Sequence, residues 1–419
     1  MQQSTKHGWK RMGKLNTITL LGSSSGRNAG DAALIAAIMD GVDRACRRAL
    51  TYDIPTLRPA YIRDHYPNRT RPVGMMPWHG ALRMLGLPTA RALMRADAVI
   101  IFDAVLFDRA LFNPLFNFLS SIYLLLPLAS RRGIPIIGYN VGVGPVHTPA
   151  GRRMLKAVAD RMTFITVRDQ DSLDLLQEVG TTNPRIRLAA DAALNAPSLP
   201  PVDVDAIFQA AGIEWDQPRL GINVNRYLDT WASANRTSMG PEAFLNIFAE
   251  ALAGFHQEVS VPMVFVTTQH HDLEITEALR RRLPPTIHTA LIDNRQHDHA
   301  AIKGVLRHLD LLCGMRLHSL ILASAELTPV VGITYQPKVA YYFRELGLSD
   351  RTLSFDDFTA DNLRRHLLRG WHDRAELSAA LKARIPVLQA KAARSAELVA
   401  ALDQGDETFA ARWSQFESP

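Results

Sequence analysis

Residues 309–334 read LDLLCGMRLHSLILASAELTPVVGIT, and this stretch decides the fold class. The apolar segment Leu309–Cys313 predicts a buried strand, and Ser319–Ala325 has the composition of an apolar helix. A second apolar segment, Val330–Thr334, predicts the next strand. A strand, a helix and a strand in this order are typical of a parallel sheet, so we expect an α/β fold.

The same alternation of strands and helices extends upstream. Other strand candidates are apolar, rich in β-branched residues and followed by loops; they are Leu15–Leu21, Ala98–Phe102, Pro135–Tyr139, Phe164–Val167, Leu220–Val224 and Met263–Thr267. A proline-rich segment, 196–205, separates the two series and is interpreted as a linker. The sequence therefore predicts two Rossmann-like domains with parallel sheets and a ligand cleft between them.

The predicted divisions of the chain are a basic tail over 1–15, domains over 16–198 and 206–385, and a helical segment over 386–419. A chain of 419 residues exceeds what one hydrophobic core ordinarily supports, which agrees with two domains. The net charge of +6 at first suggests a nucleic-acid partner. Removing the +4 of residues 1–15 leaves only +2 for the rest, so we expect no nucleic acid.

Two cysteines, Cys46 and Cys313, are too few for a disulfide framework, and neither has a zinc-type partner at close spacing. We therefore expect a cytoplasmic protein with no signal peptide, no metal and no cofactor. The apolar run 110–129 is about as long as a bilayer span, but asparagines, serines and prolines interrupt it. It predicts a buried helix; a surface helix that touches lipid or a lipid-linked substrate is the alternative.

The turn after Leu309–Cys313 carries the residues most indicative of function. Arg316 and His318 lie where the helix is predicted to begin, and a cation there is unfavourable unless an anion is present. Arg316 can hold a carboxylate or phosphate, and His318 can move protons near neutral pH. The structural alternative is that Arg316 pairs with an acid such as Asp310.

Five further strand ends present polar residues. Arg168 suits an anion or pairs with a neighbouring aspartate, and Lys338 suits a phosphate or is a solvated surface lysine. The glycine-rich loop GSSSGRNAGD and the segments GYNVGVGP and QHHD follow predicted strands; their candidate sugar contacts are Asn28, Asp31, Asn140, His147 and His271.

Together these pieces resemble the polysaccharide pyruvyl transferase family. The run GMRLHSLILASAELTPVVGITYQPKV is similar to the hallmark of that family, and GRNAGDAAL resembles its N-terminal glycine-rich loop. GYNVGVGP and VRDQDSLDLLQEVG resemble a later glycine-rich loop and an arginine–aspartate turn. The resemblance covers roughly residues 17 to 350.

The resemblance implies a GT-B-like arrangement and transfer of a pyruvyl group from phosphoenolpyruvate to two hydroxyls of a saccharide, which forms a ketal. Domain 16–198 is then the acceptor side and 206–385 the donor side. The residues assigned to the donor are Arg168, Arg316, Leu317, His318 and Lys338, with His318 and Arg316 as the catalytic pair. A lipid-linked acceptor, peripheral contact with the inner face of the cell membrane, and a homo-oligomer stay open.

One segment departs from the family pattern. Where the family commonly has a glycine pair after a strand, this chain has Asp103–Ala104–Val105, and we expect that segment to face the acceptor. Two other functions are therefore kept: a nucleotide-sugar glycosyltransferase of the same architecture, and a non-catalytic carbohydrate-binding relative.

Overall fold

The computed structural model describes residues 14–75, 86–113, 117–214, 216–226 and 239–416. Contacts between Cα atoms divide the chain into two compact units. Unit 1 comprises the described residues of Met1–Gly26, Leu34–Ala192 and Ala390–Pro419, and unit 2 comprises those of Arg27–Ala33 and Ala193–Gln389. The predicted domain limits assign 27–33 to the first domain, whereas the contacts of this segment place it in unit 2.

Unit 1 is built on a parallel sheet of seven strands in the order β3-β2-β1-β4-β5-β6-β7. Its strands are β1 Thr17–Leu21, β2 Thr51–Thr56, β3 Thr70–Gly74, β4 Ala98–Ile101, β5 Ile136–Val141, β6 Phe164–Val167 and β7 Ile186–Leu188. The strand order reverses between β1 and β4, which are paired in parallel. The loops after β1 and β4 therefore lie at the switch point where α/β sheets bind ligands.

Helices connect the strands of unit 1 in the right order for a doubly wound sheet. They are α1 Ala29–Cys46, α2 Pro59–His65, α3 Leu87–Arg95, α4 Phe118–Ser130, α5 Pro149–Ala159 and α6 Gln170–Glu178. The strands β1, β4, β5 and β6 are buried almost throughout, as expected for a sheet covered on both faces. The predicted strands at these four places are confirmed.

Unit 2 has a parallel sheet of six strands in the order β10-β9-β8-β11-β12-β13. Its strands are β8 Leu220–Asn223, β9 Met263–Thr267, β10 Thr289–Asp293, β11 Leu311–Gly314, β12 Val330–Thr334 and β13 Thr352–Ser354. Its helices are α7 Pro201–Ala210, α8 Pro241–Glu258, α9 Leu273–Arg280, α10 His299–Arg307, α11 Leu317–Ala325, α12 Pro337–Leu346 and α13 Ala360–His372. The strand order reverses between β8 and β11.

Two helices end the chain, α14 Arg374–Gln404 and α15 Asp406–Ser414. The helical character predicted for the C-terminal segment is confirmed, and the helix begins at Arg374. The linker prediction is wrong in part, because α7 begins at Pro201 within the proline-rich segment. Proline is well tolerated in the first helical turn, where its missing N–H has no partner to lose.

Candidate active site

The switch point of unit 2 is organised by Asn223, the last residue of β8. Its Oδ1 accepts hydrogen bonds from the backbone N of Arg316 at 3.1 Å and from Oγ of Ser319 at 2.9 Å. Its Nδ2 donates to the carbonyl of Val266 on β9 at 2.8 Å. Asn223 is fully buried, so these bonds fix the start of α11 relative to β8 and β9. Sequence reasoning missed this residue.

Arg316 is the N-cap of α11 and forms a bidentate ion pair with Asp272. Nε and Nη2 donate to the two carboxylate oxygens, each at 2.6 Å. Asp272 is fully buried and also accepts from the backbone N of Arg226 at 2.9 Å. Burial lowers the pKa of Arg316, but the hydrogen bond and charge of Asp272 outweigh burial and leave that pKa raised.

Arg316 is therefore paired with an acid, as the structural alternative predicts, but the acid is a different one. The acid is Asp272, whereas Asp310 accepts from the backbone N of Arg219 at 2.8 Å. Asp272 directly follows the histidines of QHHD, so the motif contributes an acid that sequence reasoning did not assign. His271, the residue it did assign, is exposed.

Tyr335 follows β12, and its phenol lies near enough to the Arg316 guanidinium for the two to interact electrostatically. Tyr335 and Asn225 are both buried. Burial raises the pKa of Tyr335 more than the nearby guanidinium lowers it, so the phenol stays protonated and can donate. Lys338 lies in the first turn of α12 and is exposed, and Leu317 is buried in the first turn of α11.

His318 lies directly against the glycine-rich loop. A Cβ atom built on Gly30 would be 2.2 Å from Cγ and Nδ1 of His318, so only glycine fits there. Asn28 caps the first turn of α1, since its Oδ1 accepts from the backbone N of Gly30 at 2.9 Å. Asp31 is in that same turn, and its charge helps to raise the pKa of Arg316.

Backbone hydrogen bonds fasten the glycine-rich loop to β9 and the loop that follows it. The backbone N of Ala29 donates to the carbonyl of Thr268 at 2.8 Å, and that of His270 donates to the carbonyl of Arg27 at 3.0 Å. Nδ2 of Asn294 also donates to the Arg27 carbonyl, at 3.1 Å. The structure thus brings Asn28 and Asp31 into the same unit as Arg316 and His318.

The switch-point side of unit 1 contains Arg168, which follows β6 and is buried among carboxylates. It forms ion pairs with Asp191 at 3.2 Å and with Asp169 at 3.3 Å. Burial lowers its pKa, but the charges of Asp191, Asp169 and Asp103 outweigh burial and leave that pKa raised. A Cβ on Gly142 would come within 2.8 Å of the guanidinium, so the loop after β5 also packs on it.

Asp103, in the segment that departs from the family pattern, has a φ of +64°. This left-handed backbone favours glycine, and aspartate is one of the few other residues that adopt it. The carbonyl of Asp103 accepts from the backbone N of Gly142 at 3.3 Å. Aspartate thus keeps a conformation that suits glycine while adding a buried negative charge near Arg168.

The other predicted acceptor residues of unit 1 are engaged in different ways. Nδ2 of buried Asn140 donates to the carbonyl of Ala392 on α14 at 3.0 Å, and its Oδ1 accepts from Ser395. His147 is exposed, and its backbone N donates to Oδ2 of Asp108 at 2.8 Å. The prediction that the sites of the two units share one cleft stays a prediction.

Within the ranges that the structure describes, no group of His, Cys, Asp and Glu side chains is arranged to hold a metal ion. Across the same ranges, no helix is long and apolar enough to cross a membrane.

Comparison with protein families gives one assignment. The family model for polysaccharide pyruvyl transferase matches residues 28–337, which include the glycine-rich loop and the turn at Arg316. A search of curated proteins found no match to this sequence.

Solved structures similar to this chain include enzymes with the GT-B fold. The UDP-GlcNAc 2-epimerase of Neisseria meningitidis, bound to UDP-GlcNAc, has a TM-score of 0.62 at 10% identity, over 95% of this chain and 100% of that chain. The Anabaena HepE protein in complex with UDP-glucose has a TM-score of 0.54 at 13% identity, over 96% and 98%. At these identities the likeness establishes the fold: two parallel α/β sheets in a GT-B-like chain.

Proposed function

Because this chain belongs to the polysaccharide pyruvyl transferase family, we propose that it transfers a pyruvyl group from phosphoenolpyruvate to two hydroxyls of a saccharide. The product is a ketal on a cell-surface polysaccharide or exopolysaccharide precursor, made in the cytoplasm. The observation that carries the proposal is the Arg316–Leu317–His318 turn, which begins α11 at the switch point of unit 2. Ligands of open α/β sheets bind at this position.

Arg316 is proposed to hold the anionic donor from one edge of its guanidinium. Asp272 occupies the edge formed by Nε and Nη2, so the donor carboxylate or phosphate is expected at the Nη1 edge. Asp272 is then a positioning residue, because it holds the guanidinium plane in one orientation without touching the substrate. Ordering the arginine before the donor arrives lowers the entropy lost on binding.

His318 is proposed as the residue that moves protons. It lies in the first turn of α11, two residues after Arg316. The close packing of Gly30 on its ring restricts the imidazole to few orientations. A fixed imidazole near a bound anion is suited to general acid or general base catalysis.

The proposed reaction begins when a proton is added to the methylene carbon of phosphoenolpyruvate, which makes C2 electrophilic. A first sugar hydroxyl forms a C–O bond to C2 and loses its proton, and the C2–O bond to phosphate then breaks. A second hydroxyl of the same saccharide attacks C2 and loses its proton, which closes the ketal. One proton is consumed at the methyl group and one leaves with phosphate, so the two hydroxyl protons balance the reaction.

Arg168 is a weaker donor contact in this proposal than Arg316. Its positive charge faces Asp191, Asp169 and Asp103, whereas Arg316 is paired with one carboxylate. An anion approaching Arg168 would meet a net negative surrounding. Lys338, exposed on α12 in the same unit as Arg316, is the better second cation for the donor phosphate.

The decisive experiment compares ligands by thermal shift on the full chain: phosphoenolpyruvate, inorganic phosphate, UDP and GDP. A ligand that binds only the folded state raises the melting temperature, and the rise increases with ligand concentration relative to Kd. We expect phosphoenolpyruvate to give the largest shift and the Arg316→Lys variant to lose most of it. Arg63→Lys, at an exposed arginine on α2, is the matched control and should retain the shift.

Two results would overturn the proposal. A shift with UDP or GDP and none with phosphoenolpyruvate would assign the chain to nucleotide-sugar transfer. Donor binding without phosphate release across a panel of saccharides would make it a non-catalytic carbohydrate-binding relative.

A further inference from the structure

Helix α4 in unit 1 is apolar on the side that faces solvent. Its sequence, FLSSIYLLLPLAS, contains no Asp, Glu, Lys, Arg or His. Seven of its side chains are buried in the core, yet Leu124 on the opposite side is 59% exposed. Pro127 is half-buried three residues further along, whereas Tyr123 and Leu128 are half-buried and pack against the core. Water therefore contacts the apolar side chain of Leu124 where a surface helix ordinarily has charged residues.

The neighbouring helix α5 shows the ordinary arrangement. It packs against α4 and is clearly amphipathic, with Arg152, Arg153 and Lys156 on its outer side. The apolar outer side of α4 is therefore specific to this helix and is not a general feature of the unit.

Two more large apolar side chains are exposed beside α4. Phe112 is 76% exposed in the turn before the helix, and Leu87 is 59% exposed at the start of α3, which packs against α4. Asn117 holds the turn in place, since its Nδ2 donates to the carbonyls of Phe107 at 2.8 Å and Arg109 at 3.0 Å. Large exposed apolar side chains on two helices that pack together, and on the turn before one of them, are typical of an interaction surface.

The exposed charged side chains of α3, α4 and the turn after α4 are positive. Arg132 follows α4 and donates to the carbonyl of Met94 at 3.1 Å, so the C-terminal ends of α3 and α4 lie together. Arg131 and Arg132 are exposed at these ends, and Arg91 is exposed in the middle of α3. We call the apolar residues Leu87, Phe112 and Leu124, together with these three arginines, the α4 face.

The acidic residues of the same stretch are buried or hydrogen-bonded. Half-buried Asp97 accepts from the backbone N of Asn16 at 2.8 Å and of Thr17 at 2.9 Å. Asp103 and Asp108 are buried. Among the described residues, the α4 face therefore combines exposed apolar side chains with arginines that form no ion pair, which is the composition of a surface that binds anionic lipid.

We propose that the α4 face docks this protein onto an anionic lipid bilayer. Leu87, Phe112 and Leu124 enter the boundary between headgroups and acyl chains, and Arg131 lies at the level of the lipid phosphates. A second copy of the chain is the alternative occupant, which the test below distinguishes. The proposal is independent of the reaction proposed above.

The test is co-sedimentation of the full chain with vesicles of phosphatidylglycerol mixed with phosphatidylcholine, beside vesicles of phosphatidylcholine alone. We expect binding to the mixed vesicles that weakens as salt is added. The double variant Phe112→Ser/Leu124→Ser should reduce partition into vesicles at least about tenfold. Val202→Ser removes an equally exposed apolar side chain from α7 in unit 2 and should leave partition unchanged.

A second pair of variants separates the contribution of positive charge to vesicle binding from the contribution of apolar contact. Arg131→Gln should weaken binding to the mixed vesicles about fivefold and have no effect on phosphatidylcholine alone. Arg63→Gln, an exposed arginine in the last turn of α2, is its control.

Light scattering of each variant distinguishes a second copy from lipid. Equal vesicle binding by the parent chain and Phe112→Ser/Leu124→Ser would overturn the proposal. The proposal would also be overturned if Phe112→Ser/Leu124→Ser changed the oligomeric state and left vesicle binding unchanged. The melting temperature of the double variant should equal that of the parent chain, which shows that the variant folds.

Discussion

The two arginines at the sheet edges, Arg168 in unit 1 and Arg316 in unit 2, are surrounded differently. Arg168 faces Asp169, Asp191 and Asp103, whereas Arg316 has one bidentate carboxylate, Asp272. Arg168 is buried and Arg316 is half-buried, and both have raised pKa values because carboxylates outweigh burial. The same residue type at the ends of strands in two similar sheets therefore has more negative charge around it in unit 1 than in unit 2.

The largest expected effect comes from replacing each arginine by lysine. Lysine keeps the charge but cannot form the bidentate pair. Arg316→Lys should lower kcat/KM for phosphoenolpyruvate by about 100-fold, which corresponds to about 3 kcal/mol of transition-state stabilisation. Arg168→Lys should lower it less than about tenfold. Phosphate release measures both, and equal losses would remove the distinction between the two arginines.

The second-largest effect is expected from substitutions of Gly30, which packs on His318, and Gly142, which packs on Arg168. In Gly30→Ala the new methyl group pushes the His318 ring, and in Gly142→Ala it pushes the Arg168 guanidinium. Each change should lower the free energy of unfolding by about 1–3 kcal/mol, as overpacking does. Only Gly30→Ala should also lower kcat, since His318 is the residue proposed to move protons. Gly74→Ala, where no atom lies within 4 Å of the added Cβ, is the control.

Replacing one carboxylate partner of each arginine compares how much each ion pair contributes to the stability of the folded chain. Asp272→Asn removes the only carboxylate hydrogen-bonded to Arg316 among the described residues and should lower the free energy of unfolding by about 3 kcal/mol. Asp191→Asn leaves Asp169 and Asp103 beside Arg168 and should cost about 1 kcal/mol. Urea titration measures both values. A larger loss in Asp191→Asn would mean that Arg168 depends on one partner after all.

The smallest effect is expected from Asp103→Gly, which restores the residue type that the family commonly has there. Glycine fits the left-handed backbone, but it also gives the unfolded chain more freedom, so the free energy of unfolding should change by less than about 1 kcal/mol. The KM for phosphoenolpyruvate should change by less than about threefold. Asn68→Gly, at another left-handed residue of unit 1, is the control, and a large gain in donor affinity would give Arg168 a donor role.

Several strands show why a sequence pattern finds some elements and not others. The predicted strands are mostly apolar, and most of their residues are buried in the sheets. β2 reads TYDIPT, and its aspartate and proline break that pattern. In the structure Asp53 is fully buried and paired with Arg71 and Arg95, so the strand is stabilised by partners far along the chain. β7 and β13 are three residues long, too short to give a periodic signal.

The sequence by itself determined the alternation of strands and helices, the parallel sheets and the position of Arg316 and His318 at the start of a helix. These follow from local periodicity and from where a strand ends. Only the tertiary structure decided the partners: Asp272 for Arg316, Gly30 for His318, and α14 for Asn140. Each pair is distant in sequence, and hydropathy reports which residues are buried but not which residues meet.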